Sequence, residues 1–412
     1  MTDVWSVCNK VGVQRTRIGS FLQSDEENNQ QMYNAISILG STGSIGCQAL
    51  ETAELLGISV RALSADKNIT LLEQQTRTFK PELVAVFNQD AARDFAVRVR
   101  DMDVRVVAGE DGLVEVARVS KVDTVLTAVV GMVGLRPTLA AIQSGRRIAI
   151  ANKEPLVCAG ELVMQNAKEH GAEIIPVDSE HSALFQCLKS GSPESVRRLI
   201  LTASGGPFRG KTRDELYGVT AETALRHPNW SMGQKITIDS ATMMNKGLEV
   251  IEAAHLFSVP PDKIDVVVHP ESIVHSMVEF IDNSVTAQLS QPDMRLPIQY
   301  ALTYPQRMPS LTNTLDLTAL AGLTFEKPDM DLFPCLGLAF KTASIRGTAC
   351  AVLNGANEAA VELFLAGEIG FYDIYESVHD ALESIGNIEN PTLDKIIYAG
   401  ELAKSFVFER AR

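Results

Sequence analysis

The stretch Ile36-Ser37-Ile38-Leu39-Gly40-Ser41-Thr42-Gly43-Ser44-Ile45-Gly46, ISILGSTGSIG, decides the fold class. A short apolar run enters a loop with three glycines, and the helical run CQALETAELL follows at once. Glycines let the backbone turn tightly and approach a pyrophosphate, while a helix N-terminus aims unpaired N–H groups and its positive dipole end at the phosphates. The GxxGxxG spacing matches the dinucleotide fingerprint only in part, and a bare glycine trio also occurs in purely structural turns. The order strand, loop, helix favours the nucleotide reading.

Working outward, apolar runs recur at 36–39 (ISIL), 60–63 (VRAL), 83–87 (LVAVF), 104–109 (VRVVAG), 122–129 (VDTVLTAV) and 147–151 (RIAIA). Helix-length segments separate them, which implies βαβ units and a mostly parallel sheet covered by helices. The expected fold class is α/β: a Rossmann-like cofactor domain over 36–177, an α+β catalytic domain over 178–304, a connector over 305–332 and a helical domain over 333–412. A long helix is expected near 241–257, and strands at 266–269, 273–280 and 285–289. Residues 1–35 read as a flexible extension, or as sequence upstream of a start at Met32, without the pattern of a signal peptide.

The chain has 412 residues, 45% of them apolar and 21% charged, as in a soluble multidomain protein. A net charge of −14 argues against a broad nucleic-acid surface, which needs clustered Lys and Arg. The longest apolar stretch, Val125 to Leu135, falls far short of the roughly 20 residues of a membrane helix. Six scattered cysteines without a CxxC pair suit reduced thiols.

Asp66 lies twenty residues beyond Gly46, where an acidic residue can grip a ribose 2′-hydroxyl and favour NAD. Lys67 and Asn68 could instead hold a 2′-phosphate, so these residues leave NAD and NADP both open. Pro176-Val177-Asp178-Ser179-Glu180-His181 follows an apolar run. In extended backbone Asp178 and Glu180 leave the same side and can face one ion, and their mutual repulsion calls for a hard divalent cation such as Mg²⁺ or Mn²⁺. The competing reading is a solvated loop with a helix cap. In Asp239-Ser240-Ala241-Thr242-Met243-Met244-Asn245-Lys246-Gly247-Leu248-Glu249, a helix puts Asn245, Lys246 and Glu249 on one face. An exposed Lys-Glu pair is common, but hydroxyl, amide and ammonium together suit a phosphate monoester. The loops Ser204-Gly205-Gly206-Pro207 and His227-Pro228-Asn229-Trp230-Ser231-Met232-Gly233 are candidate lids. His269 and His275 have no familiar metal spacing and read as strand-end or interface residues, and His181 reads as structural.

Together GSTGSIG, ANKE, VDSEHSA, SGGPFR, HPNWSMG, DSATMMNKGLE, HPESIVHSMVEF and QPDMRLPIQYAL resemble the 1-deoxy-D-xylulose 5-phosphate reductoisomerases, in the family's order from about Ile36 onward. The resemblance implies NADPH as cofactor, its phosphates held by Thr42, Gly43, Ser44 and Ile45, with Lys67 and Asn68 at the 2′-phosphate, Asp66 beside them in the cofactor site, and Asn152, Glu154 and Gly233 also in contact. It implies a divalent Mg²⁺ or Mn²⁺ on Asp178, Glu180 and Glu249. Lys153, Ser179, Glu180 and His227 would form the catalytic set. Ser204, Trp230, Ser240, Asn245, Lys246 and Glu249 would join them around the phosphorylated sugar, with His227 and Trp230 on a loop that closes over it. A homodimer in a bacterial cytoplasm, or in a plastid stroma, also follows from the resemblance. Asp66 stands where the family often has a small residue, and Pro155 where serine is common. Two other readings compete: a simple nicotinamide dehydrogenase, which leaves the separated acidic residues unexplained, and a nucleotide-sensing module without turnover.

Overall fold

A computed structural model of the chain describes residues 34–226 and 232–411. The expected extension therefore lies almost wholly outside the described residues, as do His227 and Trp230. The first half alternates strand and helix: β1 (Ala35–Leu39), α1 (Ser44–Leu56), β2 (Ser59–Ala65), α2 (Ile69–Phe79), β3 (Leu83–Val86), α3 (Gln89–Arg98), β4 (Arg105–Ala108), α4 (Gly109–Arg118), β5 (Thr124–Thr127), α5 (Leu135–Ile142), β6 (Arg147–Ile150), α6 (Glu154–His170) and β7 (Ile174–Pro176). All seven strands pair in parallel, in the order β4-β3-β2-β1-β5-β6-β7. Both faces are covered, so β1, β3 and β5 are buried at every position, and their residues are apolar apart from Ser37, Thr124 and Thr127.

Strand order reverses between β1 and β5, and ligands of such sheets bind in the crevice beyond the strands' carboxyl ends at that point. The loop from Gly40 to Gly43 leaves β1 there. Gly46 lets the first turn of α1 lie on this loop, for a Cβ would come 2.3 Å from the Gly40 carbonyl oxygen.

The chain continues through α7 (Ser179–Cys187), β8 (Val196–Ala203), α8 (Arg213–Tyr217), α9 (Ala221–Ala224), α10 (Gln234–Ala241), α11 (Met244–Leu256), β9 (Ile264–Val268), β10 (Val274–Phe280), β11 (Val285–Leu289) and α12 (Arg295–Thr303). These strands form a mixed sheet ordered β11-β10-β8-β9. α12 returns to the parallel sheet, where Ile298, Ala301 and Leu302 share a core with Ala49 and Leu50 of α1. Four helices end the chain: α13 (Pro334–Ala343), α14 (Ala349–Ala366), α15 (Asp373–Ser384) and α16 (Leu393–Arg410).

Three expectations need correction. The helix expected near 241–257 is present as α11 but starts only at Met244, because Met243, with a left-handed φ of 60°, separates it from α10. Asp178 and Glu180 do not share an extended strand. Asp178 caps α7 and Glu180 stands in its first turn, a position the helix dipole favours for a carboxylate. Finally, β8 escaped detection because Arg197 and Arg198 interrupt its alternation, although its second half, Leu199 to Ala203, is buried.

Candidate active site

Each motif loop leaves the carboxyl end of a strand. Ser44 and Ile45 follow β1, Lys153 follows β6, Asp178 to Glu180 follow β7, and Ser204 follows β8. With Gly233, Ser240, Asn245, Lys246 and Glu249 they line one cavity of about 480 Å³. The remaining predicted cofactor residues border it differently. Thr42 and Gly43 belong to the loop at the head of α1, and Asp66, Lys67 and Asn68 lie exposed past β2, where the Asn68 side chain caps α2 through the Leu71 N–H at 3.3 Å. Asn152 and Glu154 are buried and hydrogen-bonded to each other, with the Asn152 amide also donating to the Gly131 carbonyl.

The floor of the cavity is a knot of charge. Asp178, Glu180 and Glu249 offer carboxylate oxygens within 4.8 Å of one another. Lys246 bridges two of them, donating to Glu180 Oε1 at 2.7 Å and to Glu249. Lys153 Nζ lies 3.2 Å from Asp178 Oδ2 and donates to Asn245 Oδ1 at 2.6 Å, while the Asn245 amide donates to Glu249 Oε1 at 2.6 Å. The expected helical face of Asn245, Lys246 and Glu249 therefore exists, and it points inward.

Charge balance sets the protonation. Burial and then the neighbouring Glu180 push the Glu249 carboxyl up to about 7, against the opposing Lys246. Burial works against both ammoniums, yet the surrounding carboxylates hold Lys153 and Lys246 above their ordinary values. Asp178 is also penalised by burial, but Lys153 and His181 carry it well below the usual carboxylate range.

This donor set fits a divalent cation. Three carboxylates of all-oxygen character converge, which matches the hard ions Mg²⁺ and Mn²⁺. Asp178, His181 and Glu252 also approach within 4.8 Å, but neither His181 nor Glu252 reaches the cavity wall.

His181 acquires a place here. Its Nε2 donates to the Glu249 carbonyl at 3.0 Å, which fixes the backbone of α11 to α7, and its Nδ1 faces Asp178 and Glu252 at 3.7 Å each. Burial lowers its proton affinity, and Glu252 followed by Asp178 more than restores it, to about 9. Sequence reading missed Glu252, Asp293 and Arg295, and took His269 and His275, which both line the cavity, for strand-end or interface residues. Glu252 could have been found three residues beyond Glu249 on the same helix, whereas His275, Asp293 and Arg295 line the cavity from elements distant in sequence.

Comparison with known proteins fits this geometry. The family model described as 1-deoxy-D-xylulose 5-phosphate reductoisomerase matches residues 36–160, and two models of the same enzyme's C-terminal domains match 174–257 and 289–406. The reductoisomerase of Ruminiclostridium cellulolyticum is 54% identical over 89% of this chain and 96% of its own length. The chain belongs to the 1-deoxy-D-xylulose 5-phosphate reductoisomerase family. The family member of Acetivibrio thermocellus is 54% identical over 92% of this chain and 99% of its own. Among solved structures, the reductoisomerase from Zymomonas mobilis in complex with NADPH superposes with a TM-score of 0.86 at 41% identity, covering 92% of this chain and 99% of that one. A reductoisomerase complex with NADPH, fosmidomycin and magnesium gives 0.87 at 41% identity over 92% and 98%.

Proposed function

We propose that this chain converts 1-deoxy-D-xylulose 5-phosphate to 2-C-methyl-D-erythritol 4-phosphate, by skeletal rearrangement followed by reduction, with NADPH and Mg²⁺ or Mn²⁺. The observation that carries the reading is the convergence of Asp178, Glu180 and Glu249 on the cavity that also receives the glycine loop after β1. Asp178, Glu180 and Glu249 would hold the divalent ion, which when bound would supply Lewis-acid polarisation of the substrate carbonyl, and bound NADPH would supply the hydride.

The protein's own groups orient and shield. Ser204, Ser240, Asn245 and Lys246 offer two hydroxyls, an amide and an ammonium for the phosphate, far from the reacting carbons, so that binding there contributes orientation. Lys153, suspended between Asp178 and Asn245 on the cavity wall, offers its ammonium to a substrate oxygen. Ser179, between two of the proposed metal ligands, lines the cavity and donates to Glu180 Oε2 at 2.5 Å. Thr42 to Ile45 meet the cofactor phosphates at the head of α1, Lys67 and Asn68 address the 2′-phosphate with the Asp66 carboxylate beside them, and Asn152, Glu154 and Gly233 also touch the cofactor. His227 and Trp230 complete the substrate set in our assignment, though both fall outside the described residues.

We divide the chain into a cofactor domain over 36–177, a catalytic domain over 178–304, a connector over 305–332 and a helical domain over 333–412. A homodimer is supported by the edge strand β11, whose end residues Val285 and Leu289 are exposed, as is Ile281 in the turn before it, a template for pairing with a second copy. No described helix is long and apolar enough to cross a membrane, and we assign the enzyme to the cytoplasm.

The test follows NADPH absorbance with 1-deoxy-D-xylulose 5-phosphate, with and without a chelator, and repeats it with NADH. Turnover that ignores chelation would remove the metal from the mechanism, and none under any condition would sink the assignment. Glu249→Gln should raise the metal concentration at half-maximal rate by about tenfold or more, as expected for loss of a charged ligand. An unchanged requirement would take Glu249 out of the site.

A further inference from the structure

Behind α10 lies a second cluster of buried charge around Lys235, Asp239 and Asn357, none of which lines the cavity or has a part in the proposed reaction. Asn357 of α14 donates to Asp239 Oδ1 at 2.7 Å, across 118 residues of sequence, and Lys235 Nζ sits 2.8 Å from Asp239 Oδ2. Glu154 and Glu358 add their charge to Asp239's in holding Lys235 protonated against its burial. Glu358 is itself bound by Asn354 at 2.9 Å and by Lys404 of α16 at 2.7 Å. Asp239, Asn354 and Asn357 are at most 1% exposed.

Buried polar clusters cost desolvation that apolar packing would avoid, and what they contribute is a single geometry. Here the geometry concerns Ser240, the cavity residue next to Asp239. Its other side is held by Gly206, where a Cβ would lie 2.8 Å from the Ser240 carbonyl oxygen. α10 is thus gripped by α14 behind and by the glycine turn in front.

We propose that Asn357 and Lys235 are positioning residues, which fix the register of α10 on α14 so that Ser240 presents its hydroxyl to the substrate phosphate. This rests on Ser240 as a phosphate contact, so Ser240→Ala is run beside it.

Asn357→Leu should raise KM for 1-deoxy-D-xylulose 5-phosphate by about tenfold while KM for NADPH stays within about twofold. Lys235→Met should do the same, with Lys235→Arg restoring most of the loss; this pair carries the test if Asn357→Leu fails to fold. Equal changes in both KM values, or no change where Ser240→Ala shows one, would overturn the inference. No effect of Ser240→Ala would overturn the underlying phosphate assignment instead.

Discussion

Asp66 puts a carboxylate beside the place assigned to the cofactor's 2′-phosphate. It is exposed, as are Lys67 and Asn68, so solvent screens the repulsion without abolishing it. Asp66→Ser should lower KM for NADPH several-fold, roughly 1 kcal/mol of like-charge repulsion, and leave or weaken binding of NADH. The ratio of kcat/KM for the two cofactors measures this, and a ratio that does not rise would show that the carboxylate points away from the phosphate. At this scale the sequence is legible where partners are neighbours on one helix: Asn245, Lys246 and Glu249 meet as their spacing requires. It is illegible where they are not. The Lys153 ammonium finds Asn245 across 92 residues, and His181 finds the Glu249 carbonyl across 68. No local pattern encodes such pairings.

Helices α6 and α11 cross with almost no space between them. A Cβ on Gly160 would come 2.3 Å from the His255 ring, and α6 already departs from helical geometry at Ala159, with φ −136°. Gly160→Ala should therefore destabilise the protein by about 1–3 kcal/mol, through overpacking, and adding His255→Ala should return much of it. Denaturant midpoints of the three variants decide the matter; independent, additive losses would mean that the two residues do not meet. His255 also confers a pH dependence. Burial lowers its pKa, with Glu161 opposing and Arg346 reinforcing the shift. The unfolded chain then binds this proton first, so the contribution is complete above about pH 6.5 and is lost as pH falls below it. His255→Leu should flatten the decline in melting temperature between about pH 8 and pH 5, and an identical slope would assign that decline to other groups. Element type follows from periodicity almost throughout the parallel sheet, because strands buried on both faces read as continuous apolar runs. The break between α10 and α11 does not, since it depends on Met243 adopting a left-handed turn that its side chain does not favour.

Apolar cores usually stop growing near 250–300 residues, which is why the sequence suggests separate units. Yet one continuous apolar cluster runs from Leu39 and Val125 of the parallel sheet through Leu156 and Leu248 to Val361, Ala399 and Val407 of the terminal helices. The buried cluster around Lys235 crosses the same boundary with charge. Units joined in this way cannot separate without exposing apolar surface and unpaired polar groups together. Unfolding should then be a single transition, and a ligand of the cofactor segment should protect the far end of the chain. NADPH at about 100 times its Kd adds roughly 2.7 kcal/mol to whatever unfolds with its site. Hydrogen exchange in α14 and α16 should slow by the same factor as in β1 on adding NADPH. Exchange in the helices that ignores NADPH, or a separate melting step confined to 333–412, would show that the shared core does not couple them.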